Sequence, residues 1–270
     1  MTQNDNIFDY QSLLRNRIRS SKNWSSGSFL KKIASENLSE RLKYTNRNFD
    51  LAIDYGSHSG ELSDLILKTG KIRKIFNVEF VKEFSVNFKK KNKNIITAID
   101  NLPFLDGKID AFFSCLFFHW ANNPKKFLIE VIKVLKPNGL FLINFFGGAT
   151  LRELKDVLMR SEINILNGSF QRVSPFTDIK TIGDTFKSCG FEMNVIDSYS
   201  ITLTHNNLHS LVKDLRIMGE TSNFIDKASY LRKDIFKEAS KKFKELYSLS
   251  NGKIFSTFEI VTLTGWKPNN

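Results

Sequence analysis

The short apolar run Leu51-Ala52-Ile53 stops at Asp54 and opens into Tyr55-Gly56-Ser57-His58-Ser59-Gly60. An apolar strand that ends in an acidic residue and a glycine-rich bend fits the carboxyl end of a parallel sheet. There a following helix turns its N-terminus toward a nucleotide-type ligand. The bend also carries a defect. Where a third small residue would let the backbone approach a ligand, the chain has His58.

The stretch around this bend alternates strand and helix. Buried strands are predicted over 49–53, 74–78, 95–99 and 111–116. Helices are predicted over 61–68, 81–90 and 124–134, the last with Phe127, Leu128, Val131 and Leu135 on one face. Residues 135–139 (LKPNG) read as a turn before a fifth strand over 140–145. Repeated strand-helix-strand units imply a parallel sheet with right-handed crossovers. Beyond residue 148 the pattern changes to helices over 149–160, 181–189, 207–218 and 228–247. Two long alternating strands lie at 192–204 and 254–266 and suit an antiparallel addition to the sheet edge. The expected fold is therefore α/β: a three-layer, doubly wound, mostly parallel sheet with an antiparallel end and helical additions. Residues 1–45 form a helical cap segment, and a domain over 46–270 carries a helical insertion at about 205–250.

Composition narrows the function classes. With 41% hydrophobic residues in 270, a core is easily filled. No apolar stretch approaches the ~18 residues that a membrane span needs. The net charge of +12 comes from lysines scattered through a chain rich in Lys, Asn, Ile and Phe, as an AT-rich genome dictates. The one run, Phe88 to Lys93, reads as a solvated loop, and no basic-and-aromatic module for nucleic acid is visible. Cys115 and Cys189 lie in apolar surroundings without ligand spacing, which suits reduced core thiols in a cytoplasmic compartment. Residues 13–22 are Arg- and Ser-rich like part of a transit peptide. Asp5 and Asp9 precede them and no cleavage-like break follows, which favours a surface helix of the mature chain. No Cys/His metal cluster, Gly-x-Ser-x-Gly elbow or phosphate loop occurs. His205 and His209 stand four apart without an acidic partner and read as surface residues.

Four strand ends carry polar or aromatic residues at spacings that one sheet would bring together. They are Asp54, Gly56 and Gly60 at the first; Glu79 at the second; Asp100, Asn101 and Leu102 at the third; and Leu116 to Trp120 at the fourth. A carboxylate about 20 residues beyond the glycine-rich bend can accept from two ribose hydroxyls. The carboxylate of Asp100 can accept from an exocyclic amine while Leu102 packs on the ring.

The motifs IDYGSHSG, NVEF, DNLPF, FFHWANNP and LKPNGLFL resemble those of class I S-adenosylmethionine-dependent methyltransferases of type 11 over residues 49 to 146. The branch that holds the malonyl-carrier-protein methyltransferase of biotin synthesis and the complex I assembly factor is the most similar. IFDYQSLLRNRIRSSKNW, FFGGATLREL, VSPFTDIKTIGDTFKSCGF, DLRIMGETS and the terminal GWK extend the resemblance over nearly the full length. The resemblance implies S-adenosylmethionine as cofactor. It implies cofactor contacts at Asp54, Gly56, Ser57, Gly60, Glu79, Phe80, Asp100, Asn101, Leu102 and Leu116. His119 would act as a base or substrate-orienting group, and Trp120 would wall the pocket. The implied acceptor is a protein or an acyl-carrier-bound diacid. The branch also contains protein arginine hydroxylation, and a methyltransferase-fold assembly factor without turnover is the third implied function. The family's bend reads Asp-Leu-Gly-Cys-Gly-x-Gly, so His58 puts activity, rather than fold, in question.

Overall fold

The computed structural model describes residues 6–85, 93–226 and 230–269. Its helices are α1 (Tyr10–Ser21), α2 (Trp24–Gly27), α3 (Phe29–Lys43), α4 (Glu61–Lys68), α5 (Lys82–Ser85), α6 (Pro124–Val134), α7 (Arg152–Leu166), α8 (Ile179–Ser188), α9 (Leu208–Met218) and α10 (Lys233–Leu246). Its strands are β1 (Phe49–Tyr55), β2 (Ile72–Glu79), β3 (Lys93–Ile96), β4 (Ile109–Cys115), β5 (Leu135–Phe146), β6 (Glu192–His205) and β7 (Ile254–Trp266). Among the described residues they form a seven-stranded sheet in the order β3-β2-β1-β4-β5-β7-β6. β1 runs parallel to β2 and β4, and β4 parallel to β5, whereas β7 is antiparallel to β5. This is the expected α/β architecture with its antiparallel end.

The chain forms two compact units. One comprises the described residues within 1–27, 147–176 and 199–259; the other comprises those within 28–146, 177–198 and 260–270. The second unit holds the parallel strands. Ala52, Ile53, Val78, Phe112, Phe113, Phe141 and Leu142 are buried in it, because a strand covered on both faces must be apolar on both. Helix α6 starts where Asn123 caps it, its side chain accepting the Lys126 N–H, with Pro124 in the first turn. It buries Phe127, Leu128 and Val131, as the spacing predicted. Helix α3 packs on α4 and on β4 and β5. Arg41 on α3 grips Asp197 with two hydrogen bonds of 2.7 and 2.6 Å.

In the first unit α10 packs on α7 and α9, and α1 packs on α9. Asn207 caps α9 in a reciprocal arrangement with Ser210, and Gly219 ends it at φ 81°.

Three expectations need correction. Residues 135–139 are not a separate turn but part of β5. Ile109 pairs with Leu135 and Ala111 with Leu140, so 136–139 bulge out of the ladder, with Asn138 at φ 57°. β3 spans Lys93–Ile96 rather than 95–99, because its pairing with β2 ends at Glu79 and Ile96. Asp100 consequently lies in a turn at φ 63°. His205 is buried, unlike the exposed His209. Its Nδ1 is 3.0 Å from Asp214 Oδ2 and its Nε2 is 2.9 Å from Ser256 Oγ. Burial pushes the His205 pKa down, against the hydrogen bond and charge of Asp214. Ser256 is fully buried in β7, so the trio links β6, α9 and β7 and presents no nucleophile. The helix expected over 81–90 is described only as Lys82–Ser85. The rest of it, with most of the lysine run, lies outside the described residues. Of the helix expected over 228–247, residues 228–229 also lie outside them, and 230–232 are not helical, so α10 begins at Lys233.

Candidate functional site

Four adjacent strands, β3-β2-β1-β4, point their carboxyl ends the same way, and the predicted residues sit along that edge. Asp54 and Tyr55 close β1, Glu79 closes β2, and Leu116 follows β4. Asp100 is exposed in its turn, tied to β1 by its N–H, which donates to the Tyr55 hydroxyl at 3.0 Å. Asn101, also exposed, donates from its side chain to Thr97 Oγ1, while Leu102 is half-buried.

The bend has the shape a glycine-rich turn requires. Gly56 stands at φ 71° and Gly60 at φ 87°, Gly60 immediately preceding α4. His58 stands at φ 50°, the left-handed geometry that histidine tolerates better than most side chains. Its ring is turned into the protein: Nδ1 lies 3.1 Å from the Gly56 carbonyl and the imidazole sits edge-on to Phe84. Glu79 braces the bend from β2. One carboxylate oxygen accepts the His58 N–H at 2.8 Å and the other the Phe80 N–H at 2.9 Å.

Three buried polar atoms within this bend have no hydrogen-bond partner: Asp54 Oδ1, Ser57 Oγ and Ser59 Oγ. Buried polar groups are rarely left so, because each unmade bond costs about 1–3 kcal/mol. Three in six residues fit a small polar ligand with donors and acceptors of its own. The other Asp54 oxygen accepts from Ser63, whose hydroxyl is also hydrogen-bonded to Asn77.

Sequence reasoning missed Lys31. It sits on the buried face of α3 with Ser35, Leu38 and Leu42, and its Nζ donates to the carbonyls of Gly56 at 2.8 Å and Cys115 at 2.7 Å. A single ammonium thus ties the end of β4 to the bend after β1. The only signal in the sequence was a lysine in phase with the apolar face of a helix. Burial pushes the Asp54 carboxyl up to about 6, partly offset by the charge of Lys31 and the Ser63 hydrogen bond. Burial likewise pushes the Cys115 thiol up to about 11, so it stays protonated and unreactive.

The folded state holds the Asp54 proton more tightly than the unfolded chain. The resulting stabilisation is fully present below about pH 4 and is lost as pH rises through about 6, at a scale of about 3 kcal/mol. In urea titrations from pH 4.5 to 7.5, the wild-type protein is expected to lose stability relative to Asp54→Asn as pH rises. A constant difference across that range would refute the assignment.

Aromatic side chains crowd the same edge. Phe80 and Phe117 stack with centroids 4.5 Å apart, and both lie edge-on to Tyr55. A Cβ on Gly56 would come within 2.6 Å of the Phe117 ring. Phe118, His119 and Trp120 form a tight 3-10 turn after β4, all buried. His119 packs on Trp120 and Phe146, its Nδ1 3.4 Å from the Phe146 N–H. Ser57, Glu79, Phe117 and Trp120 are all at most 3% exposed.

Comparison with known proteins places this edge in a family. The model of the methyltransferase domain family matches residues 53–143, the span from the bend to β5. Over 271 residues the chain is 30% identical to the mitochondrial arginine-hydroxylase NDUFAF5 of Rattus norvegicus. That match covers 97% of this chain and 78% of the relative. The chain belongs to the NDUFAF5 family. A malonyl-[acyl-carrier protein] O-methyltransferase of Nitrosospira multiformis is 30% identical over 63% of this chain and 53% of its own length. Among solved structures, the YcgJ protein of Bacillus subtilis aligns with a TM-score of 0.60 at 14% identity. It covers 87% of this chain and 99% of that one. A SAM-dependent methyltransferase of Thermotoga maritima aligns at 0.54 and 15%, covering 94% and 99%. These two likenesses show the fold. This NDUFAF5-family chain is thus a methyltransferase-fold protein, similar both to arginine-hydroxylases and to carrier-protein methyltransferases. Among the described residues, no helix is long and apolar enough to cross a membrane, and no cluster of His, Cys, Asp and Glu is arranged to hold a metal ion.

Proposed function

We propose that the chain binds S-adenosylmethionine along the β3-β2-β1-β4 edge and transfers its methyl group. The observation that carries this reading is the set of buried, unpartnered atoms Asp54 Oδ1, Ser57 Oγ and Ser59 Oγ beside the glycines of the bend. Asp54 and the two serines would hold the amino-acid part, Glu79 the ribose hydroxyls, and Asp100, Asn101 and Leu102 the adenine. Phe80 and Leu116 would flank it. When bound, the cofactor supplies a methyl group on an electrophilic sulfonium. The protein's share is then mainly alignment and exclusion of water, which the rings of Phe117 and Trp120 would provide. His119, held by Phe146, would orient the acceptor.

Isothermal titration with S-adenosylmethionine and S-adenosylhomocysteine tests the reading. Binding should weaken at least tenfold in Asp54→Ala and in Glu79→Ala, the loss of one charge-assisted hydrogen bond of about 1.5–3 kcal/mol. No binding at near-millimolar ligand would sink it. Because Asp54 is protonated below about pH 6, binding of an ammonium there should release a proton at pH 5.5 and none at pH 7.5.

His58→Gly should change affinity by less than about threefold, or about 0.65 kcal/mol, since the imidazole is held by Phe84 and the Gly56 carbonyl. A gain of tenfold or more would show that the ring obstructs the bend.

A second reading is an assembly factor that keeps the fold without turnover. Its support is that Glu79, Phe117, His119 and Trp120 are all buried. Mass spectrometry of reactions with a carrier-bound diacid and with an arginine-containing protein discriminates these outcomes. The names of the relatives point to those two acceptors. For location we propose a reducing, cytoplasm-like compartment, a reading supported by two free, buried thiols.

A further inference from the structure

Within the first unit lies a cavity of about 250 Å³. Its walls are Leu154 and Leu158 from α7, Leu208, Val212 and Leu215 from α9, and Phe236 from α10. A cavity of 150 Å³ takes a benzene ring, so on that scale this one takes an apolar body of roughly eight to ten carbon atoms.

One part of the lining is polar. Ser174, Thr221 and Ser222 reach it, and the Ser174 and Ser222 hydroxyls stand 3.3 Å apart. That is long for a hydroxyl pair, so both keep capacity for a stronger partner. Both signs of charge stand at this end, so neither an anion nor a cation is favoured: Arg19 donates to Thr221 Oγ1 at 3.1 Å, and Glu220 lies in the lining. Arg172 is already neutralised by the fully buried Glu162, its Nε 2.7 Å from Glu162 Oε1. A ligand head that suits hydroxyl donors between a guanidinium and carboxylates is uncharged.

We propose that this cavity is a binding site for a medium-chain acyl group carried as a neutral amide or ester. The chain lies among the leucines, and its carbonyl accepts from the serine and threonine hydroxyls. Cavity and lining belong wholly to one unit, and the site does not depend on the methyl-transfer reading.

The test is calorimetric titration of the full chain with N-methyl amides of four-, six-, eight- and ten-carbon acids, with octanoate as the charged comparison. Affinity should rise about fourfold per methylene up to eight to ten carbons, and octanoate should bind at least tenfold more weakly than the eight-carbon amide. Val212→Phe, which fills the cavity from α9, should abolish binding without lowering the thermal midpoint. Ser222→Ala should weaken the amide several-fold and leave octane unaffected. Affinity that ignores chain length, or octanoate binding as tightly as the amide, would overturn the proposal. So would a folded Val212→Phe protein that binds like wild type. If that variant does not fold, the chain-length series and Ser222→Ala decide alone.

Discussion

Replacing Lys31 by methionine is expected to destabilise the protein by about 3 kcal/mol or more, the scale seen when one partner of a buried charged set is removed. Methionine nearly keeps the volume, so the loss is electrostatic. The Gly56 and Cys115 carbonyls lose their ammonium donor, and Asp54 loses the positive charge that favours its ionised form. Asp54 should then titrate well above 6 and be mostly protonated at neutral pH. Two measurements check this. Urea unfolding of the Lys31→Met, Asp54→Asn and double variants should give a coupling of at least about 1 kcal/mol, as neighbouring buried charges do. The pH at which S-adenosylmethionine binding releases a proton should also move upward in Lys31→Met. Equal costs of Lys31→Met in the wild-type and Asp54→Asn backgrounds would mean that the lysine acts through its hydrogen bonds alone.

The second large effect is expected at Gly56. Its φ of 71° lies in the left-handed region, which costs an L-residue about 1–2 kcal/mol. A new Cβ would stand 2.6 Å from Phe117 Cγ and 2.7 Å from its Cβ, atoms at the root of the ring that cannot swing away. Overpacking of this kind costs a further amount of about 1–3 kcal/mol. Gly56→Ala should therefore lower the unfolding free energy by roughly 2–5 kcal/mol in urea titrations. Adding Phe117→Ala removes Cγ but keeps Cβ, so it should relieve only part of the overpacking and leave the backbone part. Should the double variant simply sum the two single losses, the clash with Phe117 is not what limits this position.

The same two residues separate what could be read in the sequence from what could not. The bend was legible because its requirement is local. A chain that leaves a strand and enters a helix at positive φ needs glycine, and Gly56 and Gly60 stand where that geometry occurs. The period-dependent elements were legible for a similar reason. α4, α6 and β7 fall on the predicted residues because apolar spacing and capping signals act over a few positions. The alignment of Asp54, Glu79 and Leu116 along one edge followed from the alternation of strand and helix, which the right-handed crossover rule turns into a sheet order.

Other features depended on contacts across many residues. LKPNG has the composition of a turn, and only its partners in β4 and Lys267 draw it into a bulged strand. Lys31 meets Cys115 across 84 positions, and no local pattern assigns a lysine the job of joining two strand ends. His205 looked like one of a pair of exposed histidines until β7 brought Ser256 against it. The sequence alone determined the fold class, the bend and which residues end the parallel strands along one edge, since these follow from short-range sterics and periodicity. The tertiary structure decided the buried charge behind the bend, the inward turn of His58, the burial of Glu79 and the apolar pocket. Each of those is a matter of which side chains meet when distant segments pack.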